Sequence, residues 1–236
     1  MTVITLTGHL GSMGTIASLV AERLGYTLAD RELLLVFLCA ELRRQGLDPR
    51  KDVHSLLDAG CSMGYLLRHA ETSVFPSATT LTGIDIDVRA VAKGSQYLRQ
   101  IGSRVELMVA GMEQLDKVLP GRRFDVVVSC GSLMYLDQTR ATRAVADLLG
   151  HAGRVVGLID RAHSGQDNAS LARSSVRKLD ETWIHNLDSM VEEASGQVTH
   201  RQWRPPSGPD DRGVYLLIVA AADPTPGRAV HAGQRA

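Results

Sequence analysis

Residues 55–64 read Ser55-Leu56-Leu57-Asp58-Ala59-Gly60-Cys61-Ser62-Met63-Gly64, and Tyr65-Leu66-Leu67-Arg68 follow. A short apolar run ends in an acidic residue, a glycine-bearing turn follows, and apolar residues then return at helical spacing. That is the pattern of a buried strand, a tight turn and a helix start, the unit that holds a nucleotide-like ligand at the carboxyl edge of a parallel sheet. Gly60 and Gly64 leave the backbone bare where such a ligand approaches it.

Outward from this turn, strand and helix patterns alternate. Apolar runs predict strands over 55–60, 80–87, 104–110, 124–130 and 153–160. Over 137–149, Ala141, Ala144, Val145, Leu148 and Leu149 recur at helical spacing and make one apolar face. Asp87 is placed to cap a helix that carries Val91 and Leu98. Strands alternating with helices imply right-handed crossovers and a parallel sheet covered on both faces. Residues 180–194 read as a helix with Trp183, Leu187, Met190, Val191 and Ala194 on one face. Two strands then follow, 197–204 and 214–221, with a Pro/Gly/Asp-rich loop and no helix between them, which implies an antiparallel pair. The expected fold is α/β: a Rossmann-like, doubly wound seven-stranded sheet, mostly parallel, with an antiparallel last strand.

In this order the elements from about 55 to 221 resemble the class I S-adenosylmethionine-dependent methyltransferases. Asp58 to Gly64 is similar to their first motif, with Ser62 where the middle glycine usually stands. Gly83-Ile84-Asp85-Ile86-Asp87 is similar to the second. The resemblance implies that Asp85 takes both ribose hydroxyls, a task that suits the two acceptor oxygens of a carboxylate, and that Ile86 packs on the adenine. Many members carry Gly-Asp-Ala after the third strand, the Asp accepting from the adenine amino group. Here the stretch is Ala110-Gly111-Met112-Glu113, so Gly111 takes the Asp position, that bond is missing unless Glu113 or backbone groups replace it, and Met112 is left to cover the adenine. Phe124-Asp125-Val126-Val127-Val128-Ser129-Cys130-Gly131 resembles the fourth motif and implies that Cys130 and Gly131 lie beside the methionine part of the cofactor. Tyr135 either faces the acceptor or packs a helix.

The implied cofactor-binding set is therefore Asp58, Gly60, Cys61, Gly64, Asp85, Ile86, Gly111, Met112 and Cys130. The implied activity is transfer of a methyl group from S-adenosylmethionine to an acceptor, a small molecule more than a polymer, by in-line displacement. No catalytic residue follows from the sequence. His163 and His185 are the nearest candidates for a base, which such a reaction needs when the acceptor must first lose a proton.

Lys plus Arg equals Asp plus Glu at 26 each, so no global field favours nucleic acid or an anionic membrane. The longest apolar run, Leu33–Ala40, is 8 residues and far short of a bilayer span. The N-terminus lacks the basic start and apolar stretch of a signal peptide, which gives a cytoplasmic expectation. Cys39, Cys61 and Cys130 are odd in number and widely spaced, against a disulfide framework or a metal cluster. The oligomeric state is not readable.

Residues 1–35 resemble something else. A strand over Val3–Thr7, glycines at 8, 11 and 14, a helix with Ile16, Leu19, Val20 and Leu24 on one face, then Leu24-Gly25-Tyr26 and Asp30-Arg31-Glu32-Leu33 are similar to the opening of cytidylate-kinase-like P-loop proteins. No Gly-x-x-x-x-Gly-Lys-Ser/Thr is present, and no lysine precedes Lys51, so the phosphate-binding charge is missing. The expected organisation is a capping remnant over 1–36, a methyltransferase domain over 37–222 and a disordered tail over 223–236. The alternatives are a non-catalytic methyltransferase-like binding module and a nucleotide kinase relative.

Overall fold

The computed structural model describes residues 28–208, 211 and 213–221. The expectations for the P-loop-like turn, the helix around Ile16–Leu24 and the tail from 223 lie outside these residues.

Val126, Val127 and Val128 are fully buried in the middle of β4 (Phe124–Cys130). A run apolar on both faces needs cover above and below. Parallel neighbours flank it: β1 (Ser55–Ala59), with Leu57 opposite Val127, and β5 (Ala152–Asp160), with Val156 opposite Val127. β2 (Thr80–Asp85) and β3 (Val105–Val109) continue the parallel sheet beyond β1. The end of the chain closes the other side. A small hairpin of β6 (Ser175–Val176) and β7 (Trp183–Ile184) precedes β8 (Gln197–Arg204) and β9 (Val214–Ala220), and β9 inserts antiparallel between β5 and β8. The order is β3-β2-β1-β4-β5-β9-β8, the expected seven-stranded sheet with its antiparallel close.

Alternate residues of each strand feed two cores. One face buries Leu56, Val126, Val128, Val155, Leu216 and Ile218 under α1 (Leu28–Arg44), α3 (Tyr65–His69, running on as a wide π-helical turn over Ala70–Val74) and α4 (Val88–Gln100). A one-turn helix, α2 (Pro49–Asp52), lies between α1 and β1. The other face buries Leu57, Val127, Val156, Leu217 and Val219 under α5 (Leu115–Val118), α6 (Gln138–His151) and α7 (Leu187–Glu193). Asp87 caps α4 by accepting from the N–H groups of Arg89 and Ala90, and Ala141, Ala144, Val145 and Leu148 form the buried stripe of α6.

Two expectations need correction. The helix expected over 180–194 is Leu187–Glu193 alone. Asn186 ends the upstream chain by accepting from the Ser189 N–H, Glu181 takes a left-handed φ of 56°, and Trp183 pairs with Val176 in the β6–β7 hairpin. The apolar run Leu33–Ala40 buries one face: Leu34, Leu35 and Leu38 are inside, whereas Val36 is 61% exposed. α1 also runs unbroken through residue 36, where the sequence suggested a boundary. It is seated at Gly157 of β5, where a Cβ would come within 2.9 Å of Leu34 and 3.1 Å of Leu38. Each of these leucines is fully buried, worth about 1.5–3 kcal/mol in water-to-core transfer. Phe37 stacks on His200 of β8 at 3.8 Å between ring centres, which ties the helix to the edge of the sheet.

Candidate active site

The strand order reverses between β1 and β4, the position where ligands sit in open parallel sheets. A cavity of about 350 Å³ opens there, lined by residues that follow β1 (Gly60, Ser62), β2 (Asp85, Ile86, Asp87), β3 (Ala110, Met112, Glu113) and β4 (Cys130 to Ser132, Tyr135, Leu136), with Arg31 and Arg140 reaching in from α1 and α6.

The turn after β1 is held by the next strand. Gly60 and Cys61 donate their backbone N–H groups to the Ile84 carbonyl at 2.8 and 3.0 Å. Ser62, in the middle-glycine position, has φ 50°, a left-handed conformation that costs a non-glycine residue roughly 1–2 kcal/mol. Its N–H donates to Asp85 Oδ2 at 2.7 Å, a charge-assisted bond that offsets this strain. Gly60, at φ 89°, is required twice over: a Cβ there would stand 1.8 Å from Ser132 Oγ. Gly94 in α4 has a matching role, since a Cβ would meet the Met63 carbonyl at 2.5 Å. The helix thus packs directly on the turn, a contact no periodicity in the sequence announces.

Asp85 accepts from Ser62 N–H on one oxygen and from Asp87 N–H on the other, at 2.7 and 2.8 Å. Both oxygens retain acceptor capacity, and the carboxylate cannot swing away. Ile86 beside it is 75% exposed, whereas Met112 is nearly buried on the same cavity. Glu113 is ion-paired through Oε1 with Arg140. Its other oxygen, Oε2, lies 2.8 Å from where a Cβ of residue 111 would be. Gly111 leaves the room that this carboxylate fills. A hydrogen bond from its own backbone N–H and the Arg140 guanidinium keep Glu113 below the usual carboxylate range.

Gly60, Asp85, Ile86, Met112 and Cys130 share one cavity wall. Other sequence-predicted positions lie behind it. Cys61 turns into the core over Gly83, where a Cβ would come 2.6 Å from its sulfur. Gly64, φ 80°, opens α3, and Gly111 opens the turn that carries Met112. Asp58 is 2% exposed beneath the cavity, and its Oδ1 has no hydrogen-bond partner. Burial pushes its carboxyl up to about 7, with Arg31 opposing and Asp85 adding to the shift. Burial likewise pushes the Cys130 thiol up to about 12, so it is a neutral wall residue rather than a thiolate nucleophile. Sequence reasoning missed Arg31, Ser132 and Arg140, which reach the cavity through tertiary packing.

Neither histidine is a free base. His163 Nδ1 accepts from the N–H groups of Gly165 and Gln166 at 3.0 and 3.2 Å, leaving the proton on Nε2. His185 is buried, and its Nε2 donates to the Leu133 carbonyl at 3.1 Å. Its Nδ1 accepts from Ser174 Oγ at 2.7 Å, and burial lowers its pKa. It fastens the cavity turn at Leu133 to β7. All three cysteines are free and buried, no group of metal-ligating side chains occurs among the described residues, and none of their helices is long and apolar enough to cross a membrane.

Residues 56–153 match a family model described as a methyltransferase domain. The fold is similar to that of magnesium protoporphyrin IX methyltransferase from Synechocystis PCC 6803 with bound S-adenosylmethionine, at 14% identity, 91% of this chain and 86% of that one, TM-score 0.58. It is also similar to geranyl diphosphate methyltransferase in complex with the same compound, at 16% identity, 91% and 93% coverage, TM-score 0.62. The cyclase SpnF shares the fold at 18% identity, 86% and 81% coverage, TM-score 0.60. No curated protein matches the sequence. The domain match covers residues 56–153, and the likeness to these solved structures shows that the chain shares their fold.

Proposed function

We propose that the chain moves a methyl group from S-adenosylmethionine to a small-molecule acceptor, with Asp85, Ile86, Met112, Gly60 and Cys130 forming the cofactor site. The observation that carries this reading is Asp85: a carboxylate fixed by two backbone donors at the cavity edge, with an acceptor site still open on each oxygen. It fits a vicinal diol, and the exposed Ile86 and the Met112 side chain offer two apolar surfaces for a flat base. Glu113 Oε2, held over Gly111, stands where the missing aspartate would accept from the adenine amino group.

The cofactor supplies an electrophilic methyl on sulfur, so the protein has chiefly to align an acceptor with it. The histidine geometry narrows the acceptor. Neither His163 nor His185 presents a lone pair for proton removal, which favours an acceptor atom that is already nucleophilic. Support for a small molecule comes from the neighbours whose names include a porphyrin and geranyl diphosphate, and from a second hollow of about 450 Å³ beyond β5, lined by Ala162, His163, Ser175 and Ile184. A cyclase on the same fold motivates a second reading, a site that binds the cofactor without transferring its methyl. Calorimetry with S-adenosylhomocysteine, followed by turnover assays with labelled S-adenosylmethionine, separates the two. Binding with a melting temperature that rises with ligand is expected. A folded chain indifferent to millimolar ligand removes the cofactor site altogether.

A further inference from the structure

Three charged side chains line the hollow of about 450 Å³ beyond β5: Arg161, Arg177 and Asp211. Asp211 is completed by its own loop, accepting from Arg204, from the Ser207 N–H and hydroxyl, and from the Gly213 N–H. Arg161, whose side chain is 2% exposed, donates from Nη2 to Asp180 Oδ2 at 3.0 Å. Arg177 donates from Nη1 to the same oxygen at 3.0 Å. Two guanidiniums thus share one carboxylate, and an arginine does not shed its charge. Asp160, beside Arg161 in sequence, is committed to the backbone N–H groups of Met134 and Arg161. Only Nη1 of Arg177 is engaged, and its Nε and Nη2 have no partner among the described residues. The hollow offers further donors. His163 keeps its proton on Nε2, because Nδ1 accepts from Gly165 and Gln166. The hydroxyls of Ser164 and Ser175 have no partner among the described residues. Open donors around an under-neutralised cation, with the one lining carboxylate already occupied, are the complement of an anion.

We propose that this hollow holds an anionic group of the methyl acceptor, a carboxylate or a phosphate ester, with Arg177 as its cation. This rests on the reading of the neighbouring cavity as an S-adenosylmethionine site. A planar guanidinium with open N–H groups meets two oxygens of either anion. The fold sets the hollow close to the cavity. Cys130, on the cavity wall, pairs with Ile159 across strands about 4.8 Å apart, and the hollow begins two residues on, at Arg161. The two walls are fastened to each other. His185 Nε2 donates to the Leu133 carbonyl, and the Ser174 N–H donates to the Gln138 side chain at the start of α6. Ile184, beside His185 on β7, gives the hollow an apolar side. The anion is the handle of the acceptor and not its reacting atom. A lone pair on another atom of the acceptor forms the new bond to the methyl carbon, and the sulfonium sulfur keeps the electron pair of the old one.

The test is calorimetry at constant ionic strength on the full chain saturated with S-adenosylhomocysteine. The probes are benzoate, phenyl phosphate and uncharged benzamide. At least one anion is expected to bind about tenfold or more tighter than benzamide, the effect of a charge-assisted hydrogen bond. The better of the two tells a carboxylate acceptor from a phosphate ester. Arg177→Met should lose that preference and Arg177→Lys should recover part of it, while unchanged affinity for S-adenosylhomocysteine reports an intact fold in both. Anions that bind no better than benzamide, or a preference that survives in Arg177→Met, overturn this inference and leave the cofactor site standing. A folded native chain that ignores S-adenosylhomocysteine removes the methyl-transfer reading, and the acceptor role of the hollow falls with it.

Discussion

Glu71 and Asp58 are both buried carboxyls, 6% and 2% exposed, and the chain treats them in opposite ways. Glu71, in the π-helical turn, has every acceptor engaged. Arg104 donates its backbone N–H and its Nε to Oε1, while Arg68 and Ser103 donate to Oε2. Burial works against its charge, but these bonds win and hold it at about 2. For Asp58, burial wins and the carboxyl rises to about 7. One carboxylate is completed by its own chain and locks α3 to the loop before β3. The other sits under the cavity with an oxygen bare.

The comparison breaks most easily at Glu71. Glu71→Ala strands the Ser103 hydroxyl and the Arg104 N–H, and should lower the unfolding free energy by about 3 kcal/mol. Urea denaturation measures this, and affinity for S-adenosylhomocysteine should stay as it was. A loss below about 0.5 kcal/mol would show the network to be idle and dissolve the contrast.

Asp85→Ala tests the other side. It removes the open acceptors facing the cavity and the clamp on Ser62, and should cost about 2 kcal/mol of S-adenosylhomocysteine affinity, in the range of hydrogen bonds to a charged group. Far-ultraviolet circular dichroism should barely move, because the residue ends a strand. Unchanged affinity would place the ribose elsewhere.

The pH dependence sharpens the contrast with the smallest effect. Glu71 is more acidic folded than unfolded, so its stabilising contribution is present above an ordinary glutamate value of about 4.3 and is lost as pH falls towards about 2. Asp58 holds its proton more tightly when folded. Its contribution is complete below an ordinary aspartate value of about 3.9 and is lost as pH rises through about 7. Asp58→Asn should therefore flatten the fall in stability between pH 5 and 8, and exceed the native chain by about 1 kcal/mol at the upper end. Melting curves across that range check it. A native chain whose stability is level there, unchanged by the substitution, would mean that Asp58 is already satisfied.

The contrast also explains what the sequence displayed and what it concealed. Gly60, Asp85, Met112 and Cys130 were legible because each sits at or just beyond the carboxyl end of a strand, and parallel pairing brings such ends to one edge. The buried valines of β4 and the cap at Asp87 are local signals of the same kind. Arg31 was hidden because its position depends on how α1 lies across β5, β9 and β8, a contact over more than 100 residues of chain that no local spacing encodes. The β6–β7 hairpin was hidden for another reason. Trp183 and Ile184 fit the helical stripe of 180–194 as well as they fit a strand, and the left-handed turn at Glu181 decides between them. The sequence named Glu113 as a group that could stand in for an acceptor at 111, and its Oε2 lies over Gly111.

Gly157 carries a consequence beyond packing. It is the bare spot on β5 against which Leu34 and Leu38 rest, and α1 extends from there as a stiff rod with Arg31 one turn past its seat. A methyl group added at 157 would meet the terminal methyls of Leu34 and Leu38, which must turn aside to admit it. The bare backbone at 157 thus sets where the helix that carries Arg31 to the cavity comes down on the sheet.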